Sequence, residues 1–182
     1  QDIAFSMKHF VFSLFISLAI LTAATCPAAA STSSIIIDAW SGEVLSASGA
    51  DTQRYPASLT KLMTLYITFD ALEKGIIKLD DRLPVSRNAA NRSPSKLGVR
   101  AGETISVRTA VMALIIKSAN DCATVLAEGL GYTEENFALT MTKVARELGM
   151  KNTTFKNASG LPNRAQKTTA RDMALLGAAV YH

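Results

Sequence analysis

The chain has 182 residues, 48% of them hydrophobic, with 19 basic and 15 acidic side chains and a formal net charge of +4. That length suits one domain or most of one, and that apolar content can build a core, which excludes a disordered tail. The charges are scattered without a run of five of one sign, so neither a nucleic-acid-binding tail nor a polybasic membrane anchor is expected.

The N-terminal segment reads as a targeting signal. Lys8 and His9 open it, an apolar run extends from Phe10 to Ala24, and Ala28-Ala29-Ala30 closes it. This is the order of a secretory leader: charged region, apolar region, A-x-A cleavage site. The run is shorter than the roughly 20 residues that a spanning helix needs. The expectation is a signal peptide with upstream residues over 1–30, a start at Met7, and an exported chain over 31–182. Cys26 would leave with the leader. Cys122, beside Ala123 and Val125, would then have no partner and reads as a small buried residue.

In the mature chain, Ile35–Asp38 and Val44–Ala47 are β-favouring runs around a Ser41-Gly42 turn, a hairpin pattern. Trp40 reads as a packing residue at that hairpin. A helix is predicted from Ala57 to Lys74, with Leu59, Leu62, Met63, Tyr66 and Phe69 as its apolar stripe and Gly75 as its stop. Residues 75–107 read as mostly irregular, with a short strand at Ile76–Leu79 or Leu83–Val85. Helices follow over Thr109–Lys117, Cys122–Gly129 and Asn136–Leu148, with Gly149 as a stop. The polar loop "KNTTFKNASGLPNRAQ" comes next, and its two N-x-S/T triplets, at Asn152 and Asn157, read as turn residues. Thr169 caps a last helix striped by Met173, Leu176 and Val180. That helix reaches Tyr181-His182 without a stop signal, so the chain reads as cut within a longer sequence.

Chemistry is suggested by Ser58 and Lys61 in "YPASLTKLMTLY". One reading is an ordinary helix start with a solvated lysine. The other is a nucleophile and its base. A serine hydroxyl needs a base to become reactive, and lysine serves only if burial or a nearby cation lowers its pKa. Residues three apart on a helix share a face, and a first-turn N–H can form half of an oxyanion hole. The four-letter pattern alone is cheap: Ser93 and Lys96 repeat it around Pro94 in a Gly-rich loop. A third polar group is needed to orient the lysine. Ser118-Ala119-Asn120 supplies one between two apolar helical runs, while Ser86-Arg87-Asn88 has the same spacing in a polar loop, where a solvated turn is the default.

"PASLTKLMTLY", followed by "KSANDCA", resembles the serine-type D-alanyl-D-alanine carboxypeptidases, the low-molecular-mass penicillin-binding proteins of the peptidase S11 family. "IIIDAWSGEVLSASGAD" and "FKNASGLPN…TTARDMALL" are similar to further segments of that family in its order, so the resemblance spans Ser33 to the C-terminus. It implies an α+β domain, an N-terminal β-hairpin plus the helical cluster of a penicillin-binding-protein/β-lactamase-like transpeptidase fold, with an incomplete sheet. It implies Ser58 as acylated nucleophile, Lys61 as general base, Ser118 as proton-transfer aid and Asn120 as a substrate-backbone contact. The implied reaction removes the terminal D-alanine from a peptidoglycan stem pentapeptide. β-Lactams would be acylating inhibitors, with no metal, no cofactor and no nucleic acid involved. The implied location is the periplasm or the outer face of the bacterial cytoplasmic membrane.

The family's third motif, Lys-Thr-Gly on a strand, is not matched. Lys167-Thr168-Thr169 lacks the glycine and falls at a helix cap, where Lys167 reads as a solvated loop residue. Membrane association would likewise need the family's C-terminal segment. Alternatives are a murein endopeptidase, a class A-like β-lactamase, for which none of Glu134, Glu135 and Glu147 is a persuasive deacylating base, or an inactive peptidoglycan-binding fragment. Helices that pack on a sheet in the family are expected to expose apolar surface here.

Overall fold

A computed structural model describes residues 32–182; the predicted leader lies outside the described residues. The hairpin forms as expected, with β1 (Ser34–Ile37) antiparallel to β2 (Val44–Ser48) and a register slip between Ile36 and Ile37. Its turn is local chemistry. Asp38 Oδ1 accepts from the Trp40 and Ser41 N–H groups at 3.0 and 2.7 Å, and Gly42 takes the positive φ of 74° that the turn requires. A second two-stranded sheet pairs β3 (Arg82–Pro84) with β4 (Thr104–Ser106). It realises the Leu83–Val85 alternative and excludes a strand at 76–79. β4 was not legible because its partner lies some twenty residues away, beyond the reach of local pattern.

The helices are α1 (Thr60–Glu73), α2 (Arg87–Ala90), α3 (Val107–Lys117), α4 (Asn120–Gly131), α5 (Glu134–Glu147) and α6 (Ala170–Tyr181). Four start on a side-chain cap: Ser86, Ser106, Thr133 and Thr169 each accept from the N–H three residues on. The decoy Ser86-Arg87-Asn88 is therefore a capped short helix rather than a solvated turn.

Two expectations about α1 need correction. Residues Ala57–Leu59 form a 3-10 turn, so Ser58 precedes the α-helix rather than sitting in its first turn. The buried face is also shifted: Met63 is buried and Leu62 and Tyr66 pack against the core as expected, but Thr60, Lys61, Thr64, Leu65, Thr68 and Ala71 also point inward, while Leu59 and Phe69 are exposed. Threonine and alanine face the core because α1 lies against α4, and small side chains permit that approach. Helix α4 is the centre of the fold. Every residue from Asn120 to Ala127 is buried, and α4 touches α1, α2, α3, α5 and β3. Its Ala, Cys and Thr residues let five neighbours close in, with Phe137, Met141 and Phe155 filling the space around them.

Cys122 lies in that centre, fully buried, and burial followed by the adjacent Asp121 charge pushes its thiol up to about 12. Cys122 in the native protein is therefore expected to resist modification by a disulfide reagent, with quantitative labelling only in denaturant. Rapid native labelling of Cys122, read by peptide mass spectrometry, would contradict this packing.

Apolar side chains do show at the surface. Ile36, Leu45, Tyr55, Leu59 and Tyr181 are all more than half exposed. Trp40, exposed at the hairpin tip, meets the rings of Tyr181 and His182 edge-on, and His182 Nε2 bonds the Ala39 carbonyl oxygen at 2.8 Å. The hairpin tip is thus joined to the end of α6.

Candidate active site

Ser58 stands on the 3-10 turn, solvent-facing, with Lys61 beneath it at the start of α1. Lys61 Nζ lies 3.4 Å from Ser58 Oγ and 2.6 Å from the Ser159 carbonyl oxygen. The lysine is only 5% exposed, and no carboxylate pairs with it among the described residues. Burial alone lowers its pKa to about 8, because removing water penalises the charged form. Near neutrality a useful fraction of the amine is therefore unprotonated. A neutral amine keeps two N–H donors and one lone pair. One donor can serve the Ser159 carbonyl while the lone pair faces the Ser58 hydroxyl, the geometry a general base needs.

The turn that displays Ser58 is built from two segments distant in sequence. Ala57 adopts a left-handed φ of 47°, and Gly160, at φ 88°, lies beneath its carbonyl. A Cβ on Gly160 would sit 1.8 Å from the Ala57 oxygen, so only glycine allows this approach. Thr60 N–H serves the Ala57 and Ser58 carbonyls and Leu59 N–H the Pro56 carbonyl, whereas the Ser58 N–H donates to no backbone acceptor among the described residues. A free N–H on the nucleophile at the start of a helix is one half of an oxyanion hole. Beside the turn, a cleft of about 540 Å³ runs between Tyr55-Pro56-Ala57 and the Gly160–Arg164 segment. Lys167 does not sit on a solvated loop as expected. Its backbone pairs with Thr154, and its ammonium lies 3.5 Å from the centre of the Tyr55 ring.

Ser118 and Asn120 sit where α3 turns into α4. Ser118 ends α3 in a left-handed conformation, φ 53° and ψ 40°, which a serine adopts rarely and which sequence does not signal. Its half-buried hydroxyl has no hydrogen-bond partner among the described residues. The Asn120 side-chain amide donates to the Pro94 carbonyl, and the Asn120 N–H donates to the Ser95 carbonyl at 2.8 Å. The structure thus joins Ser58 to Lys61 directly. Ser118 and Asn120 lie where α3 turns into α4, the helix that packs on α1, and make no hydrogen bond to Lys61 among the described residues.

Sequence reading missed Asp121. Its buried carboxylate accepts from the Leu97, Gly98 and Val99 N–H groups at 3.0, 2.8 and 3.3 Å. Burial works to raise its pKa, but these bonds and that from Cys122 N–H outweigh burial and hold it below the ordinary carboxylate value. Asp121 therefore pins the 93–99 loop over the Ser118–Asn120 turn. The second Ser-x-x-Lys, Ser93 and Lys96, belongs to this pinned loop and not to a nucleophile–base pair.

The chain is similar to known proteins along most of its length. The peptidase S11 family, described as D-alanyl-D-alanine carboxypeptidase, matches residues 20–182. The chain is 37% identical over 144 residues to the D-alanyl-D-alanine carboxypeptidase DacF of Bacillus subtilis, covering 79% of this chain and 37% of that one. It is 40% identical over 154 residues to DacC of Escherichia coli, covering 81% of this chain and 38% of the relative. The crystal structure of DacD from Francisella tularensis superposes with a TM-score of 0.79 at 40% identity, covering 82% of this chain and 36% of that one. The chain therefore spans less than half the length of these relatives. With an α+β fold shared with penicillin-binding proteins and the family's sequence along most of its length, this chain belongs to the D-alanyl-D-alanine carboxypeptidase family of serine hydrolases.

Proposed function

We propose that this chain carries the acylation half of a serine D-alanyl-D-alanine carboxypeptidase site. The carrying observation is the Ser58–Lys61 pair, an exposed hydroxyl over a desolvated amine with a lowered pKa. Ser58 Oγ attacks the carbonyl of the penultimate D-alanine of a peptidoglycan stem pentapeptide while Lys61 takes the hydroxyl proton. The amide C–N bond breaks, the proton passes to the departing D-alanine amine, and water hydrolyses the resulting ester. The free Ser58 N–H supplies one donor to the oxyanion. Ser118 relays protons and Asn120 binds the substrate backbone after leaving the Pro94 carbonyl, which is the rearrangement this reading requires. β-Lactams acylate Ser58 by the same attack, and the work is done in the periplasm or on the outer face of the cytoplasmic membrane.

The direct test incubates the chain with a pentapeptide ending in D-alanyl-D-alanine and measures free D-alanine. Release by the wild type and none by Ser58→Ala is the expected result. No release by the wild type, or equal release by both, contradicts the proposal.

A further inference from the structure

The Ser58–Lys61 pair leans on the 157–160 loop. Two successive carbonyls of that loop grip α1: Ala158 O accepts from Thr64 Oγ1 at 2.8 Å, and Ser159 O accepts from Lys61 Nζ at 2.6 Å. The next residue, Gly160, supports the Ala57 carbonyl. The loop is held partly by itself, since Asn157 Oδ1 accepts from the Ser159 and Gly160 N–H groups at 3.3 and 2.7 Å. Two ties come from outside: Gln166 Oε1 accepts from the Asn157 N–H at 3.2 Å, at the start of the loop, and Glu134 holds the residue that follows. Glu134 Oε1, at the start of α5, accepts from the Ala158 N–H at 3.1 Å.

Glu134 is itself tightly held. It is 3% exposed and pairs with the Arg92 guanidinium. Asn88 Nδ2 donates to Oε2 at 3.4 Å and Thr124 Oγ1 to Oε1 at 3.3 Å. A buried carboxylate with four donors around it is a rigid fixture, and removing one partner leaves a costly imbalance. Residue Ala158 therefore presents its N–H to a fixed acceptor on one side and its carbonyl to α1 on the other. The Ser159 carbonyl follows one peptide later.

We propose that Glu134, clamped by Arg92, is a positioning residue for the acylation pair: through the Ala158 N–H it sets the Ser159 carbonyl that aims Lys61 Nζ at Ser58 Oγ. It bonds neither Ser58 nor Lys61. Its significance for turnover rests on the carboxypeptidase reading, but the coupling from Glu134 to Lys61 stands apart from turnover.

The test follows Lys61 ionisation by the pH titration of its 13Cε resonance, which needs no activity. Glu134→Ala is expected to move the Lys61 midpoint upward by about one unit or more, as the loosened loop admits water to the amine. Glu134→Gln keeps an oxygen acceptor for the Ala158 N–H and is expected to restore the wild-type midpoint. Asp172→Ala serves as a control. Asp172 is another buried carboxylate, bonded to Asn152 N–H and Thr153 Oγ1 rather than to Glu134's loop contacts, and its loss is expected to lower stability without moving Lys61.

If Glu134→Ala lowers the melting temperature but leaves the Lys61 midpoint in place, or if Asp172→Ala moves it equally, the proposal is overturned. Should Glu134→Ala not fold, Arg92→Met is read in the same way: movement supports the coupling and constancy contradicts it. A wild type that releases no D-alanine yet shows the Lys61 shift in Glu134→Ala would sink the carboxypeptidase reading and keep this one.

Discussion

Replacing Lys61 with methionine is expected to slow acylation of Ser58 by β-lactams by about 10²–10⁴-fold, the usual range for loss of a positioned base. Methionine keeps the unbranched stem and deletes the amine, so the effect isolates proton transfer. The effect on stability has the opposite character. Burial lowers the Lys61 pKa from 10.5 to about 8, a cost to the folded state of about 3 kcal/mol wherever the lysine is protonated in both states. The sign follows from proton counts. Between the folded and unfolded pKa values the unfolded chain holds the extra proton, so this group makes the wild type more stable as pH rises from about 8 to about 10.5. Below that window the full cost remains.

The methionine variant escapes the charge penalty but leaves the Ser159 carbonyl without its donor, which costs about 1–3 kcal/mol. Its stability near neutral pH is therefore expected to lie within about 2 kcal/mol of the wild type. The difference between the two proteins in denaturant titrations should shift by about 3 kcal/mol in favour of the wild type on going from neutral to strongly alkaline pH. In the wild type, the acylation rate should climb through about pH 8 as the amine loses its proton. A rate flat across that range would remove Lys61 from the role of base.

Gly160→Ala is the second large effect. The new methyl carbon would lie 1.8 Å from the Ala57 oxygen, 2.4 Å from its carbon and 3.1 Å from Ser58 N. No side chain can swing away, because all three neighbours are backbone. The positive φ at residue 160 adds strain for any residue with a Cβ. A loss of about 2–5 kcal/mol is expected, with the 3-10 turn pushed away from Lys61. Acylation should fall well beyond what the loss of folded protein explains. Calorimetry and labelling kinetics on the folded fraction separate the two effects. An alanine variant with wild-type melting and wild-type acylation would show that the Ala57–Gly160 contact does not shape the site.

The contrast between Ser58 and Gly160 shows where sequence stops being informative. The hairpin, the Gly75 and Gly149 stops and the Thr169 cap are encoded within a few residues, and local chemistry makes them legible. Ser58 and Lys61 were legible as a spacing. The residues that make them a site are not neighbours in sequence. Ser159 and Gly160 reach Lys61 and Ala57 across roughly a hundred residues, and nothing in "NASGLPN" beyond a turn signal announces that contact. In sequence Glu134 reads only as an unpersuasive deacylating base; its positioning contacts are not legible, because its partners Arg92, Thr124 and Ala158 come from three separate segments. The face of α1 was partly misread for a related reason. Apolar periodicity picks out Leu59 and Phe69, but contact with the small residues of α4 selects threonine and alanine. Ser118 in the left-handed region has no sequence signature at all, since glycine or asparagine is the usual occupant.

The central claim, that Ser58 over a desolvated Lys61 forms a covalent acyl-enzyme, is tested most directly by mass spectrometry. The chain is incubated with benzylpenicillin, digested, and the peptide containing Ser58 is weighed and sequenced. The expected result is one penicilloyl adduct per chain, located on Ser58, absent from Ser58→Ala and strongly reduced in Lys61→Met. An unmodified Ser58 peptide from folded wild-type chain, or an adduct at Ser93 or Ser118 that survives Ser58→Ala, would contradict it.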